Sequence, residues 1–185
     1  MIQSILGPGG IDVLPGFPAY KLEFAGFTEL AADAAGVTVT FNQPYRYLIM
    51  IARIAGNAGA GGVPGWQFNG DTGNNYGGAA TKPADGVATA QTSTNKIIVS
   101  ESTAVTPRTL KVAFAAKDAA GRIGRLRGFG IDDTESIGTA IQLSEHGGIW
   151  ANTTALFTSV TMNGGATSLL AGSNLLVYGI NAITS

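Results

Sequence analysis

Short apolar runs separated by glycine-rich stretches set the pattern of this chain. In "RTLKVAFAAK", Leu110, Val112 and Phe114 alternate with Thr109, Lys111 and Ala113. In "KLEFAGFTEL", Leu22 and Phe24 alternate with Lys21 and Glu23. A period of two is the side-chain period of a strand, and such a strand is half-buried. The runs are rich in Val, Ile, Thr and aromatic residues, which fit a pleated surface. The pattern predicts strands over Tyr20–Thr28, Val37–Asn42, Tyr45–Ile54, Gly65–Asn69, Lys96–Ser100, Thr109–Ala116, Gly121–Ile131, Ala155–Met162 and Leu175–Ile180. One stretch, "TELAADAAG" from Thr28 to Gly36, fits a helical turn capped by Thr28 and stopped by Gly36 as well as it fits a non-helical connection. No other segment sustains a 3.6-residue period.

Glycine makes up 27 of 185 residues, roughly double its usual share. The glycines gather between the apolar runs, where turns demand positive φ. The spans Ala55–Gly65 and Gly77–Gln91 read as loops. "GPGGIDVLPGFP" at the amino terminus carries three prolines and four glycines and reads as an extended arm. No linker divides the rest. The expected organisation is all-β: an extended arm over residues 1–18 and a single β-sandwich or jelly-roll domain over 19–185.

Charge narrows the partners. Only 12% of residues are charged and the formal net charge is −1, so no strong field would steer the chain to nucleic acid or a membrane. So low-charged a surface suits an assembly better than a free monomer. The longest apolar run, "YLIMIARIA", is interrupted by Arg53 and is too short to span a bilayer. The first residues carry no basic residue before Lys21 and read poorly as a signal peptide. Without cysteine there is no disulfide framework and no thiolate metal site. Six of the eleven Lys and Arg lie between Arg108 and Arg127, with Asp118 the one acid among them. Arg125 and Arg127 share a face if that segment is a strand. Such a face is either solvated or in contact with an acidic neighbour.

Candidate chemistry is sparse. In "FNGDTGNNYGGAAT", Asp71 with Asn69, Asn74 and Asn75 faintly resembles a calcium loop, but one carboxylate makes a weak site. Turn residues between strands are the better reading, and no metal or cofactor is expected. The glycine runs lack the lysine and the strand–helix context of a phosphate loop. His146, in "SEHGG", reads as a surface or loop residue, and no G-x-S-x-G accompanies it. Asp132, Asp133 and Glu135 crowd one short segment, whereas a glycosidase pair usually spans two elements. No enzymatic activity is expected.

"YRYLIMIARIAG" followed by "WQFNGDTGNNYGG", and later "IWANTTALFTSVTMNGG" with "LLAGSNLLVYGI", resemble a β-rich domain of tailed-phage virion proteins. The likeness covers Tyr45–Gly78 and Ile149–Ile180. It implies a structural hairpin at the FNGD segment and a non-enzymatic virion protein. A short Pro/Gly arm without a fibrous shaft resembles a capsid decoration, or cement, protein, and such proteins often form trimers. The resemblance implies the virion surface as location and the major capsid protein, or another virion protein, as partner. Candidate contacts are Ile5, Leu6, Ile11, Leu14 and Phe17 on the arm, with Arg122, Arg125 and Arg127. The alternative is a receptor- or glycan-binding module of a tail fibre or baseplate, with Trp66, Tyr76 and Trp150 as sugar-stacking faces.

Overall fold

The β-branched and aromatic runs become strands that pair only antiparallel. The computed structural model describes residues 20–58, 63–81, 88–99, 109–117, 124–132, 142–152 and 155–182. Among these the strands are β1 (Tyr20–Glu29), β2 (Gly36–Tyr45), β3 (Tyr47–Ile54), β4 (Gly65–Phe68), β5 (Tyr76–Thr81) and β6 (Ala88–Thr94). They continue with β7 (Ile97–Ile98), β8 (Thr109–Lys117), β9 (Gly124–Asp132), β10 (Gln142–Trp150), β11 (Phe157–Asn163) and β12 (Asn174–Ala182). No helix occurs among the described residues. An eight-stranded sheet runs β1-β12-β3-β8-β9-β10-β5-β6, and a four-stranded sheet runs β2-β11-β4-β7.

Of its two readings, Thr28–Gly36 takes the non-helical one: β1 continues through Glu29, and Ala34 then bridges Leu169. Two expectations are corrected. Gly77–Gln91 is not a loop throughout, because β5 and β6 occupy both its ends and pair with each other. Glycine suits β5 for a steric reason. A Cβ at Gly78 would sit 2.6 Å from the Gly147 carbonyl oxygen of β10, so only glycine allows that approach. The segment holding His146 is β10, in the middle of the large sheet. The predicted arm, residues 1–18, lies outside the described residues.

The inward faces of the two sheets share one core. Leu48 and Met50 of β3 and Leu175 and Val177 of β12 meet Val37 and Val39 of β2, Trp66 and Phe68 of β4 and Val160 of β11. At one end the aromatic rings stack. Trp150 lies 6.3 Å from Tyr76 and 5.9 Å from Phe157, with interplanar angles of 14° and 21°. Each such pair adds roughly 0.5–1.5 kcal/mol beyond burial. Gly179 of β12 makes room for an aromatic ring: a Cβ there would lie 2.2 Å from the Tyr45 ring.

The FNGD segment ties this end together. Asn69 and Gly70 both have positive φ, 53° and 66°, and the Asp71 N–H donates to the Phe68 carbonyl at 2.9 Å. That is the signature of a type I′ turn. The Asn69 side chain donates to the Leu156 carbonyl and accepts from the Thr158 and Ser159 N–H groups. The Tyr76 hydroxyl accepts from the Phe68 N–H and donates toward the Phe68 and Asp71 carbonyls.

Candidate assembly face

Strand β8 inverts the usual assignment of its two faces. Thr109, Lys111, Ala113, Ala115 and Lys117 point inward and are buried, while Leu110, Val112 and Phe114 point outward. A half-buried strand normally buries its larger apolar set. Strand β9 does the same: Gly124, Leu126, Gly128 and Gly130 face the interior, and Arg125, Arg127 and Phe129 face out.

The inward lysine needs space and partners. Lys111 Nζ donates to the Ser144 hydroxyl at 2.9 Å. Across the strand pair stands Gly130, where a Cβ would lie 2.3 Å from Lys111 Cδ. A Cβ at Gly128 would lie 2.4 Å from His146 Nε2 and 2.6 Å from the Val112 carbonyl oxygen. His146 is buried, not a surface residue as its glycine-flanked context suggested. The strand period places Ser144 and His146 inward and Glu145 outward. Trp66 Nε1 donates to His146 Nε2 at 3.1 Å, so the neutral ring carries its hydrogen on Nδ1. That Nδ1 is buried without a partner among the described residues. Burial, followed by the nearby Lys111 charge, pushes the His146 pKa down to about 3. Lysine, serine and histidine here could compose a catalytic group, but each is at most 3% exposed, so no substrate reaches them in this structure. Lys117 is also buried; its Nζ lies 4.4 Å from the Trp150 ring centroid and donates to the Asn152 carbonyl.

The outward face carries what the inward face gives up. Cross-strand register aligns Phe24, Tyr178, Ile49, Phe114 and Arg127 in one row. The next row holds Phe27, Leu176, Ile51, Val112, Phe129 and Glu145. Leu22, Phe24, Phe27, Leu110, Phe114, Phe129 and Ile149 are each between 41% and 63% exposed, and all seven lie on this sheet. A shallow apolar depression in the same face is lined by Tyr47, Ile49, Phe114, Ala116 and Ile180. Four half-exposed phenylalanines and three aliphatics leave roughly 600 Å² of apolar surface. That reaches the upper end, about 300–600 Å², of the largest patch a typical monomer exposes.

Arg125 and Arg127 are exposed on β9 and stand within this face. Arg122 and the arm residues Ile5, Leu6, Ile11, Leu14 and Phe17 lie outside the described residues, as do Asp133 and Glu135. Trp66, Tyr76 and Trp150 are at most 2% exposed, so none offers a face to a sugar. The Asp71 carboxylate accepts from Trp150 Nε1 at 2.8 Å, from the Gly73 N–H at 2.9 Å and from Asn75 Nδ2. Burial pulls its pKa up, but these donors win and hold it below the usual carboxylate value. A carboxylate ringed by N–H donors is arranged to fix a turn, not to receive a cation. Among the described residues no group of three or more His, Cys, Asp or Glu could hold a metal, and no helix is long and apolar enough to cross a membrane.

No family model, curated protein or solved structure matches the chain.

Proposed function

We propose that this chain is a non-enzymatic virion structural protein, a capsid decoration protein that stabilises a phage head by bridging capsid subunits. The observation that carries the structural role is the outward apolar face of the eight-stranded sheet. A protein that turns lysine inward and phenylalanine outward on one strand is built to be covered on both sides. The phage assignment rests on the likeness of the FNGD and "GSNLLVYG" segments to tailed-phage virion proteins. The two antiparallel sheets with one shared core fit a β-sandwich, and the same likeness favours the jelly-roll kind.

In this reading the amino-terminal arm, through Ile5, Leu6, Ile11, Leu14 and Phe17, and the arginines Arg122, Arg125 and Arg127 contact the major capsid protein. The test is copy number by quantitative mass spectrometry of particles purified from an infection in which the chain is produced. Hundreds of copies per particle support the decoration role. A handful would move the chain to the tail, and none would end the virion reading.

A further inference from the structure

We infer that the outward face of the eight-stranded sheet is covered by the same face of a second copy of this chain, related by a two-fold axis. The inference does not need the virion reading and departs from it at two points: it pairs copies where the resemblance implies trimers, and it gives Arg127 to the second copy instead of the capsid protein.

Area is the first argument. The exposed apolar residues, with the half-buried ones between them, approach the roughly 800 Å² per partner of a standard interface. Two sheets stacked face to face lie about 10 Å apart, with strand directions within about 30°. That arrangement would cover both rows at once.

Shape and charge are the second argument, and they fix the axis. Place the two-fold axis in the plane between the sheets, crossing the strands midway between the two rows. Each residue of one row then faces, on the same strand of the other copy, the residue of the other row. Phe114 falls over Val112, and Glu145 falls over Gly147. Large meets small on β8 and β10, while on β1 Phe24 meets Phe27 and on β3 Ile49 meets Ile51, so the contact there is ring on ring and aliphatic on aliphatic. Arg127 falls over Phe129 of the other copy and one strand away from that copy's Glu145. The guanidinium thus gains a ring face and a carboxylate in one position. Because the contact is isologous, it forms twice per pair.

The face is also built by sequence and not left over. Gly128 and Gly130 exist to receive His146 and Lys111 inside. The same two strands could have placed Leu110, Val112, Phe114 and Phe129 in that space. A sheet face of mixed Phe, Ile, Leu and Arg suits an equivalent face better than a highly charged partner.

The test is sedimentation equilibrium of the full chain, wild type against four variants: Phe114→Glu, Arg127→Glu, Glu145→Arg and the Arg127→Glu/Glu145→Arg double. All of these side chains point away from the core, and far-UV circular dichroism verifies that each variant keeps its strands. A wild-type dimer is expected. Phe114→Glu should raise its dissociation constant about 30-fold or more, as loss of a buried aromatic anchor does. Each single charge reversal should weaken it about tenfold, and the double should recover most of that loss. If Phe114→Glu misfolds, the charge series alone decides. A monomer, a trimer, or a dimer indifferent to all four variants would overturn the inference. So would a face that takes up detergent micelles or another virion protein while the chain stays monomeric.

Discussion

Lowering the pH should destabilise this protein through His146 before most of its carboxylates matter. The ring is buried, accepts a hydrogen bond from Trp66, and lies near Lys111 on the same inner face of the sheet. Protonation would destroy the acceptor at Nε2 and place a second cation near Lys111. The folded pKa is about 3, against 6.5 for the unfolded chain. A depressed histidine pKa means the unfolded chain binds the proton first. Stability is therefore full above pH 6.5, falls between pH 6.5 and 3, and levels off below. The slope is about 1.4 kcal/mol per pH unit, so His146 alone removes roughly 3 kcal/mol between pH 6.5 and pH 4. Against a domain stability of about 5–15 kcal/mol, that is a large share. His146→Gln keeps an acceptor for Trp66 and removes the titration. Urea midpoints of both proteins at pH 7.5, 5.5 and 4 check this. The wild type should lose stability faster than the variant as pH falls, by roughly 3 kcal/mol at pH 4. Parallel losses in the two proteins would refute the reasoning and place a proton-accepting partner beside Nδ1.

Three more outcomes follow from the packing. Gly179→Ala drives a methyl into the Tyr45 ring and should destabilise by about 1–3 kcal/mol, seen as a lower urea midpoint with an unchanged slope. Gly128→Ala meets both His146 and a backbone oxygen; it should cost at least as much as Gly179→Ala, whereas Gly130→Ala should cost less because the flexible Lys111 stem can shift. Asp71→Ala leaves the Trp150 indole N–H without its acceptor and should cost about 1–3 kcal/mol. By contrast, millimolar calcium or a chelator should leave the wild-type melting temperature unchanged, and a rise of several degrees with calcium would show that Asp71 anchors a cation after all.

Much of the architecture was legible because strands announce themselves by period. Where it was not legible, the cause was local chemistry. "YGGAAT" reads as a loop because glycine and alanine carry no strand preference, yet β5 pairs there because bare backbones approach closely at Gly78 and Gly147. His146 was hidden by its neighbours, although the alternation of Ser144, Glu145 and His146 already places the ring opposite the one obvious charge. The assembly face had a signal that alternation in "TLKVAF" obscured. "YLIMIARI" of β3 and "LLVYGI" of β12 are nearly continuous apolar runs, the mark of strands covered on both faces. The next two strands along the sheet, β8 and β9, conceal the same fact by putting lysine and glycine inside. The FNGD turn was read correctly as a structural feature, because Asn-Gly supplies two positive-φ residues whatever surrounds it.

The central claim is that the outward sheet face is an interface and not a solvated surface. Hydroxyl-radical footprinting of Phe24, Phe27, Phe114 and Phe129 tests it most directly, with the purified chain labelled at nanomolar and at high micromolar concentration. All four rings should be oxidised in the dilute sample and protected together in the concentrated one, while buried Phe68 and Phe157 stay unlabelled in both. Equal labelling of the four rings at both concentrations, and again in assembled particles, would contradict the account.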